Sequence, residues 1–398
     1  MISAIAGQAI SLPFSLLVFD ETKSALLSAI MFISSVLPNF ILPLFIAPLI
    51  DRGNKKKIIV TLDYLTGVLY LLVAAVYYRT GFNYQLLIVF SFVAGVIGSI
   101  YQLAYSAWYP DLIPAGFEQQ GFAVSSSIYP TVIMIVSPIA AWLYEIQLPV
   151  YYLLVAIALL TLTAATFELF IRNLGFKKAE KTTNLREYVA DCKAGFVFLR
   201  QEKGLRNIYS YMAITGGVSM GVGLMVQAYF QTVSFLTVAM LGFLRSAETL
   251  GRMLGGLVQY KFNIKPEKRY GITKFVYFSY GILDIVLLYT PYPFMVVNRF
   301  LCGVLGMTSY TLREASVQSY LPRDMRARVN AIFSVITSLA LVVFQLGTGY
   351  VGDMFGFRRT AVSFTFLSLA AAIVLIAIPS AVNRKVYEAT RVGQGELP

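Results

Sequence analysis

Residues 58–78 read IIVTLDYLTGVLYLLVAAVYY, an apolar run in which Asp63 is the one charged residue. Just before it, residues 51–57 read DRGNKKK, and Arg79 follows it. The hydrocarbon core of a bilayer is about 30 Å thick, so a helix that crosses it needs roughly 20 apolar residues. The run reads as a transmembrane helix with a basic collar at one end.

Working outward, similar stretches recur at 1–19, 25–50, 84–109, 119–144, 148–171, 207–230, 233–260, 271–290, 293–320, 327–352 and 360–380, which with 58–78 makes twelve. The chain is 58% hydrophobic and 13% charged, with mean hydropathy +0.70. A soluble core is not built from such long, uniform, uncharged runs. The expected fold is therefore an all-α membrane protein of twelve spans. The one long gap, 172–206, divides it into an N-terminal six-helix bundle at 1–171, a linker, a C-terminal six-helix bundle at 207–380 and a tail at 381–398.

Twenty-four of the 32 lysines and arginines fall in alternate gaps or within four residues of them, four fall in the other gaps, and Arg245, Arg252, Arg299 and Arg313 fall deep inside spans. Basic loops stay on the cytoplasmic side. Both termini and the 172–206 linker are thus expected in the cytoplasm of a bacterial cell, with the chain in its plasma membrane as a multi-pass monomer. The net charge of +12 is a topology signal directed at anionic lipid, with no nucleic-acid partner implied. Within the linker, Asn184 and Glu187 have capping-box spacing. Leu185, Val189, Cys192, Phe196 and Leu199 then repeat at helical spacing, so a basic amphipathic helix on the membrane surface and a solvated linker are both open.

An offset of 208 residues aligns Pro114 with Pro322, Ala123 with Ala331, Ser126 with Ser334, Trp142 with Tyr350 and Glu145 with Asp353. Duplicated halves of this kind are a way in which transporters are built. There is no histidine, and the two cysteines, Cys192 and Cys302, stand apart. No disulfide framework follows, a His/Cys metal site is close to excluded, and no cofactor is expected. No phosphate-binding G-x-x-x-x-G-K-[ST] run is present either.

Charges inside spans are costly and usually face an aqueous cavity. Arg245, Glu248 and Arg252 are spaced i, i+3, i+7 on one face of the eighth span, either as a proton-coupling site or as an ion-pair stripe that locks packing. Arg313 and Glu314 lie in the tenth span and Asp284 in the outer part of the ninth. Tyr101, Tyr105 and Trp108, with Gln102 beside them, stripe the fourth span; they suit a flat or cationic ligand, an interfacial belt or plain packing. Ser137-Pro138 with Ala140-Ala141 suits a hinge or close helix packing.

Several of these stretches resemble a known family. Ala47-Pro48-Leu49-Ile50-Asp51-Arg52-Gly53-Asn54-Lys55-Lys56-Lys57 resembles the loop signature of the major facilitator superfamily. Ile135 to Ala141 is similar to its antiporter motif. Leu199 to Leu205 and Gly7-Gln8-Ala9-Ile10-Ser11 resemble the macrolide-efflux branch. The resemblance implies two bundles around a cavity lined by Gln8, Tyr101, Gln102 and Tyr105. It also implies a cytoplasmic gate at Asp51, Arg52 and Lys56, with Asp63 pairing with a base nearby, and a hinge at Ser137 and Pro138. Relatives carry about two further helical turns after the Gly-Gln element, whereas here Ser11 runs straight into Leu12-Pro13-Phe14. The first span is then short, with Pro13 weakening its middle.

The function expected is secondary active efflux of a lipophilic, macrolide-like molecule in exchange for protons, with Glu248 as the proton-linked carboxylate. An importer of a metabolite or siderophore, or a lipid translocase, has the same fold. A non-transporting sensor or assembly component is the alternative of another class. No nucleophile paired with histidine points to an enzyme.

Overall fold

The structure, a computed structural model, describes residues 13–40, 42–43, 46, 50, 53–113, 118–171, 195–262, 264–322 and 325–389. Gln8, Asp51, Arg52, Pro114, Cys192 and the capping-box pair Asn184 and Glu187 lie outside the described residues, as does the chain before Pro13. Among the described residues there is no β-strand.

The helices are α1 (13–22), α2 (Ala25–Val36), α3 (Lys55–Thr80), α4 (Tyr84–Leu112), α5 (Glu118–Glu145), α6 (Val150–Leu169), α7 (195–201) and α8 (Lys203–Thr232). They continue with α9 (Val238–Lys261), α10 (Pro266–Leu287), α11 (Tyr292–Tyr320), α12 (Arg326–Phe355), α13 (Phe357–Ala371) and α14 (Ser380–Tyr387). Each run expected from residue 58 onward coincides with a helix, the last one continued by a short π turn. Among the described residues, α3, α4, α6, α8, α12 and α13 with its extension are long and apolar enough to cross a membrane. The in-span charges lower the hydropathy of α9, α10 and α11.

Local chemistry sets the helix ends. Asn54 caps α3 by accepting from the Lys57 amide at 3.0 Å, and Gly81 ends that helix at φ +69°. Only glycine adopts such a conformation freely. At the basic end of α3, Lys55 Nζ donates to the Ala107 carbonyl of α4 at 2.9 Å, and Lys56 Nζ donates to the Leu169 carbonyl of α6 at 2.7 Å. Leu169 ends α6, where the last carbonyls have no intrahelical partner and carry partial negative charge, so the Lys56 ammonium satisfies both.

The chain divides into two compact units, Met1–Leu185 with Phe230–Ser246, and Arg186–Tyr229 with Ala247–Pro398. The division runs through α8 and α9. In the first unit Phe14, Leu17 and Val18 of α1 pack with Tyr70 and Val73 of α3, Phe90 of α4 and Leu154 of α6. Phe14 meets Phe90 edge-on, centroids 5.4 Å apart, so α1 is helical and core-forming through Pro13.

In the second unit the chain does not run free after the last long helix. A π-helical turn, Ala372–Ala377, leads into α14, whose Val386 and Tyr387 are buried. Tyr387 and Tyr277 share a hydroxyl hydrogen bond of 2.8 Å, and Ser316 Oγ donates to the Tyr387 carbonyl at 2.7 Å. Asn383 Nδ2 donates to the carbonyls of Leu375 and Ile376 at the end of that turn. The first part of the expected tail is thus a folded helix.

Candidate functional site

Four charged residues of α9, α10 and α11 in the second unit, Glu248, Arg252, Asp284 and Arg299, form one connected group. Its scaffold is a glycine seam. Gly251 and Gly255 stand one turn apart on α9, and a Cβ at Gly255 would lie 3.0 Å from the Val304 carbonyl and 3.1 Å from the Val304 Cα of α11. A Cβ at Gly303 of α11 would come within 2.8 Å of the Arg252 amide and touch the Glu248 carbonyl. Small residues spaced by four let membrane helices approach to backbone contact. That contact sets Glu248 opposite Arg299.

Arg299 Nη2 makes a short ion pair with Asp284 Oδ1, and its Nη1 lies 4.0 Å from Glu248 Oε2. The other Glu248 oxygen accepts from Arg252 Nη2 at 2.7 Å. The order along the group is Asp284, Arg299, Glu248, Arg252, with alternating signs and no net charge. Side-chain exposure rises along it, from 8% and 10% at Asp284 and Arg299 to 23% at Glu248 and 56% at Arg252. Asn298 braces the buried end: its Nδ2 donates to the Leu283 carbonyl at 2.8 Å, and its Oδ1 lies 3.6 Å from Cys302 Sγ.

A buried charge is tolerated when paired, and breaking one pair leaves the partner exposed to the full penalty. A proton added to either carboxylate gives the group a net positive charge and loosens an arginine. The arrangement can therefore register protonation as a change in pairing. The sequence placed Glu248 between Arg245 and Arg252 on one helix. The structure gives it Arg252 and, across the seam, Arg299, which the sequence marked only as an in-span charge. The signal for that pairing was present: Asp284 and Arg299 flank the 288–291 turn, so a hairpin brings them to similar depth.

Elsewhere in the second unit, Arg313 bonds Glu314 through Nε and Nη2 at 3.2 and 3.0 Å and lies over the Tyr310 ring, 5.2 Å from its centroid. It is a neighbouring-residue pair, separate from the group above.

In the first unit Asp63 is buried, and the Glu168 carboxyl of α6 is hydrogen-bonded to Asp63 and to Tyr101. The described surroundings of Asp63 thus include a second acid. Tyr101 and Tyr105 stack with centroids 6.3 Å apart, and Tyr105 stacks on Tyr109 at 5.3 Å. Trp108 leaves that stripe for the core beside Ile50, Ile59 and Ala104, while Gln102 is exposed. Lys56 caps α6 as described. Ser137 is fully buried on α5, where a Cβ at Gly242 of α9 would sit 2.8 Å from the Pro138 Cα. Ser246 Oγ donates to the Met134 carbonyl at 2.8 Å, so Ser137-Pro138 lies on a tight α5–α9 contact within that unit.

Comparison with known proteins places this geometry in context. Residues 1–283 and 267–395 match the family described as the Major Facilitator Superfamily. Macrolide efflux protein A of Streptococcus pyogenes is 22% identical over 396 residues, covering 94% of this chain and 93% of that protein. Among solved structures, the nucleoside transporter NupG superposes with TM-score 0.68 at 14% identity, covering 95% of this chain and 96% of that one. A bacterial homologue of the iron transporter ferroportin, in an inward-facing state, gives TM-score 0.66 at 14% identity over 94% and 96%. At such identities the structures speak for the fold alone.

Proposed function

The chain belongs to the Major Facilitator Superfamily, and on that premise we propose that it exports a lipophilic, macrolide-like small molecule in exchange for protons by alternating access. The family makes it a multi-pass membrane transporter and not an enzyme. The observation that carries the export reading is the end-to-end similarity to a macrolide efflux protein. Proton exchange is supported by Glu248, a partly open carboxylate held between two arginines within a span.

In this reading the chain is a monomer in the bacterial plasma membrane, with both termini and residues 172–206 in the cytoplasm. The bundles 1–171 and 207–380 rock about Ser137-Pro138, and Asp51, Arg52, Lys56 and Asp63 close the cytoplasmic side. Gln8, Tyr101, Gln102 and Tyr105 line the path. Glu248 is the proton-linked acid, with Arg245, Arg252, Asp284, Arg313 and Glu314 tuning it. Differential affinity for two states is what couples the gradients.

Expression in a pump-deleted bacterial host should lower steady-state accumulation of radiolabelled erythromycin, and a protonophore should abolish the difference. Raised accumulation would make the protein an importer. Unchanged accumulation would remove macrolides as cargo. In inverted vesicles Glu248→Gln should bind drug and lose uptake driven by a pH gradient; wild-type uptake would remove Glu248 from the mechanism.

A further inference from the structure

We propose that Arg299 is the positioning residue of proton coupling, one guanidinium shared between Asp284 and Glu248 and passed from one to the other as the proton binds and leaves. This rests on the reading that Glu248 is proton-linked, and adds the group that makes two carboxylates on different helices answer to one proton.

The geometry is that of an unequal share. Arg299 is committed to Asp284, while its second amino group stands at 4.0 Å from Glu248, beyond hydrogen-bonding distance. Its Nε is buried and has no hydrogen-bond partner. A guanidinium presents five N–H donors in a rigid fork, and here much of that fork is unspent in a place where water does not reach. Such a cation gains from any second acceptor. Asn298 Oδ1 already accepts a long bond from Nη2 at 3.4 Å, and Glu248 is the second carboxylate within reach, with one of its oxygens held by Arg252.

The helices leave the side chain as the moving part. The Gly251, Gly255 and Gly303 contacts bring α9 and α11 to backbone contact, and packed seams shift between discrete arrangements more readily than they deform. Rotation of one guanidinium over a few ångströms needs no such shift. A proton that enters on Glu248, the more open carboxylate, and passes to Asp284 neutralises the buried acid and weakens its hold on the cation. Arg299 then closes on Glu248, and Arg252, the most open member, is released. When the proton leaves, the order reverses. The guanidinium stays charged throughout, and the proton is the one species transferred. The other polar groups around the two carboxylates are Tyr280, one turn before Asp284 on α10, and Asn298 and Cys302 on α11. Neither Tyr280 nor Cys302 supplies a competing cation.

The test pairs two variants chosen to keep the charge balance. Asp284→Asn with Arg299→Gln removes one charge of each sign and leaves the Glu248–Arg252 pair intact. Arg299→Lys keeps a cation but replaces the planar five-donor fork with a compact ammonium of different reach. Both are reconstituted and assayed with erythromycin for exchange without a gradient and for accumulation driven by a pH gradient. The expected result is exchange within about threefold of wild type and at least a tenfold loss of gradient-driven accumulation. Wild-type accumulation in either folded variant would overturn the proposal and leave Arg299 a packing residue. Glu248→Gln is run beside them. If it keeps wild-type accumulation, the proton reading of Glu248 has failed; if it alone loses accumulation, only the role of Arg299 has. A cargo-free arm covers a chain that does not move erythromycin. The melting temperature in detergent between pH 5.5 and 8 should depend on pH differently in wild type and in the double variant, since a shared proton site is lost. Superimposable profiles would overturn the proposal.

Discussion

In the second unit, Asp284, Arg299, Glu248 and Arg252 stand inside three helices and pair across a glycine seam. In the first unit, Lys55 and Lys56 sit at the end of α3 and donate to carbonyls of α4 and α6 near their last turns. The same residue types thus do different work according to depth. At helix ends they satisfy backbone groups that water could serve instead, so each contact is worth little. Inside a span water is absent, so every charge must find a partner and the loss of one is felt by the others. An interior network is therefore where a single protonation can redistribute structure, and a collar of end caps is not.

The comparison is broken most directly at Arg299. Arg299→Gln alone leaves Asp284 buried without its cation, and removing one partner of a buried pair costs about 3–5 kcal/mol. We expect a large fall in melting temperature and poor recovery as a monodisperse species on size exclusion. A variant that melts within a degree or two of wild type would show that the interior charges are as dispensable as the end caps. Arg252→Gln, at the open end, should cost less than Arg299→Gln.

Next in size is the seam itself. Gly303→Ala places a methyl group against the Glu248 carbonyl and the Arg252 amide, both backbone atoms that cannot step aside. Overpacking of this kind costs about 1–3 kcal/mol. Gly98 has nothing within 4 Å of its would-be Cβ, so Gly98→Ala should be neutral or slightly stabilising. Equal melting of the two alanine variants would mean that the close approach of α9 and α11 does not hold the charged group together.

Much of this was legible in the sequence, for a physical reason. Bilayer thickness imposes one length on every span, so α3, α4, α6, α12 and α13 could be read from composition alone. Partners were harder. Glu248 was seen beside Arg252 because helical spacing is a local rule, whereas Arg299 is 51 residues away and reaches it through glycines whose meeting is a tertiary fact. Trp108 was assigned to the Tyr101 and Tyr105 stripe, but a four-residue step places Tyr109 on that face and turns the indole to the core. The burial of Tyr387 was invisible because its partners, Tyr277 and Ser316, lie 110 and 71 residues away.

The smallest expected effect sharpens the other side of the comparison. Lys56→Gln removes the ammonium from the Leu169 carbonyl, where a cation meets the negative end of α6. The contact is exposed, so water can replace it, and the loss should be about 0.3–1 kcal/mol at low salt. Salt screens charges of this kind over about 10 Å at 0.1 M, so the difference from wild type should shrink further in 0.5 M sodium chloride. Lys57→Gln is the control: it removes a neighbouring charge of the same sign while leaving the Asn54 cap, which uses the Lys57 backbone amide, in place. Melting curves of the three proteins at two salt concentrations decide the matter. A salt-sensitive shift confined to Lys56→Gln would identify an end cap acting through its charge. A loss as deep as that of Arg299→Gln, unchanged by salt, would place Lys56 in an interior role and erase the distinction between collar and core on which the argument for Arg299 stands.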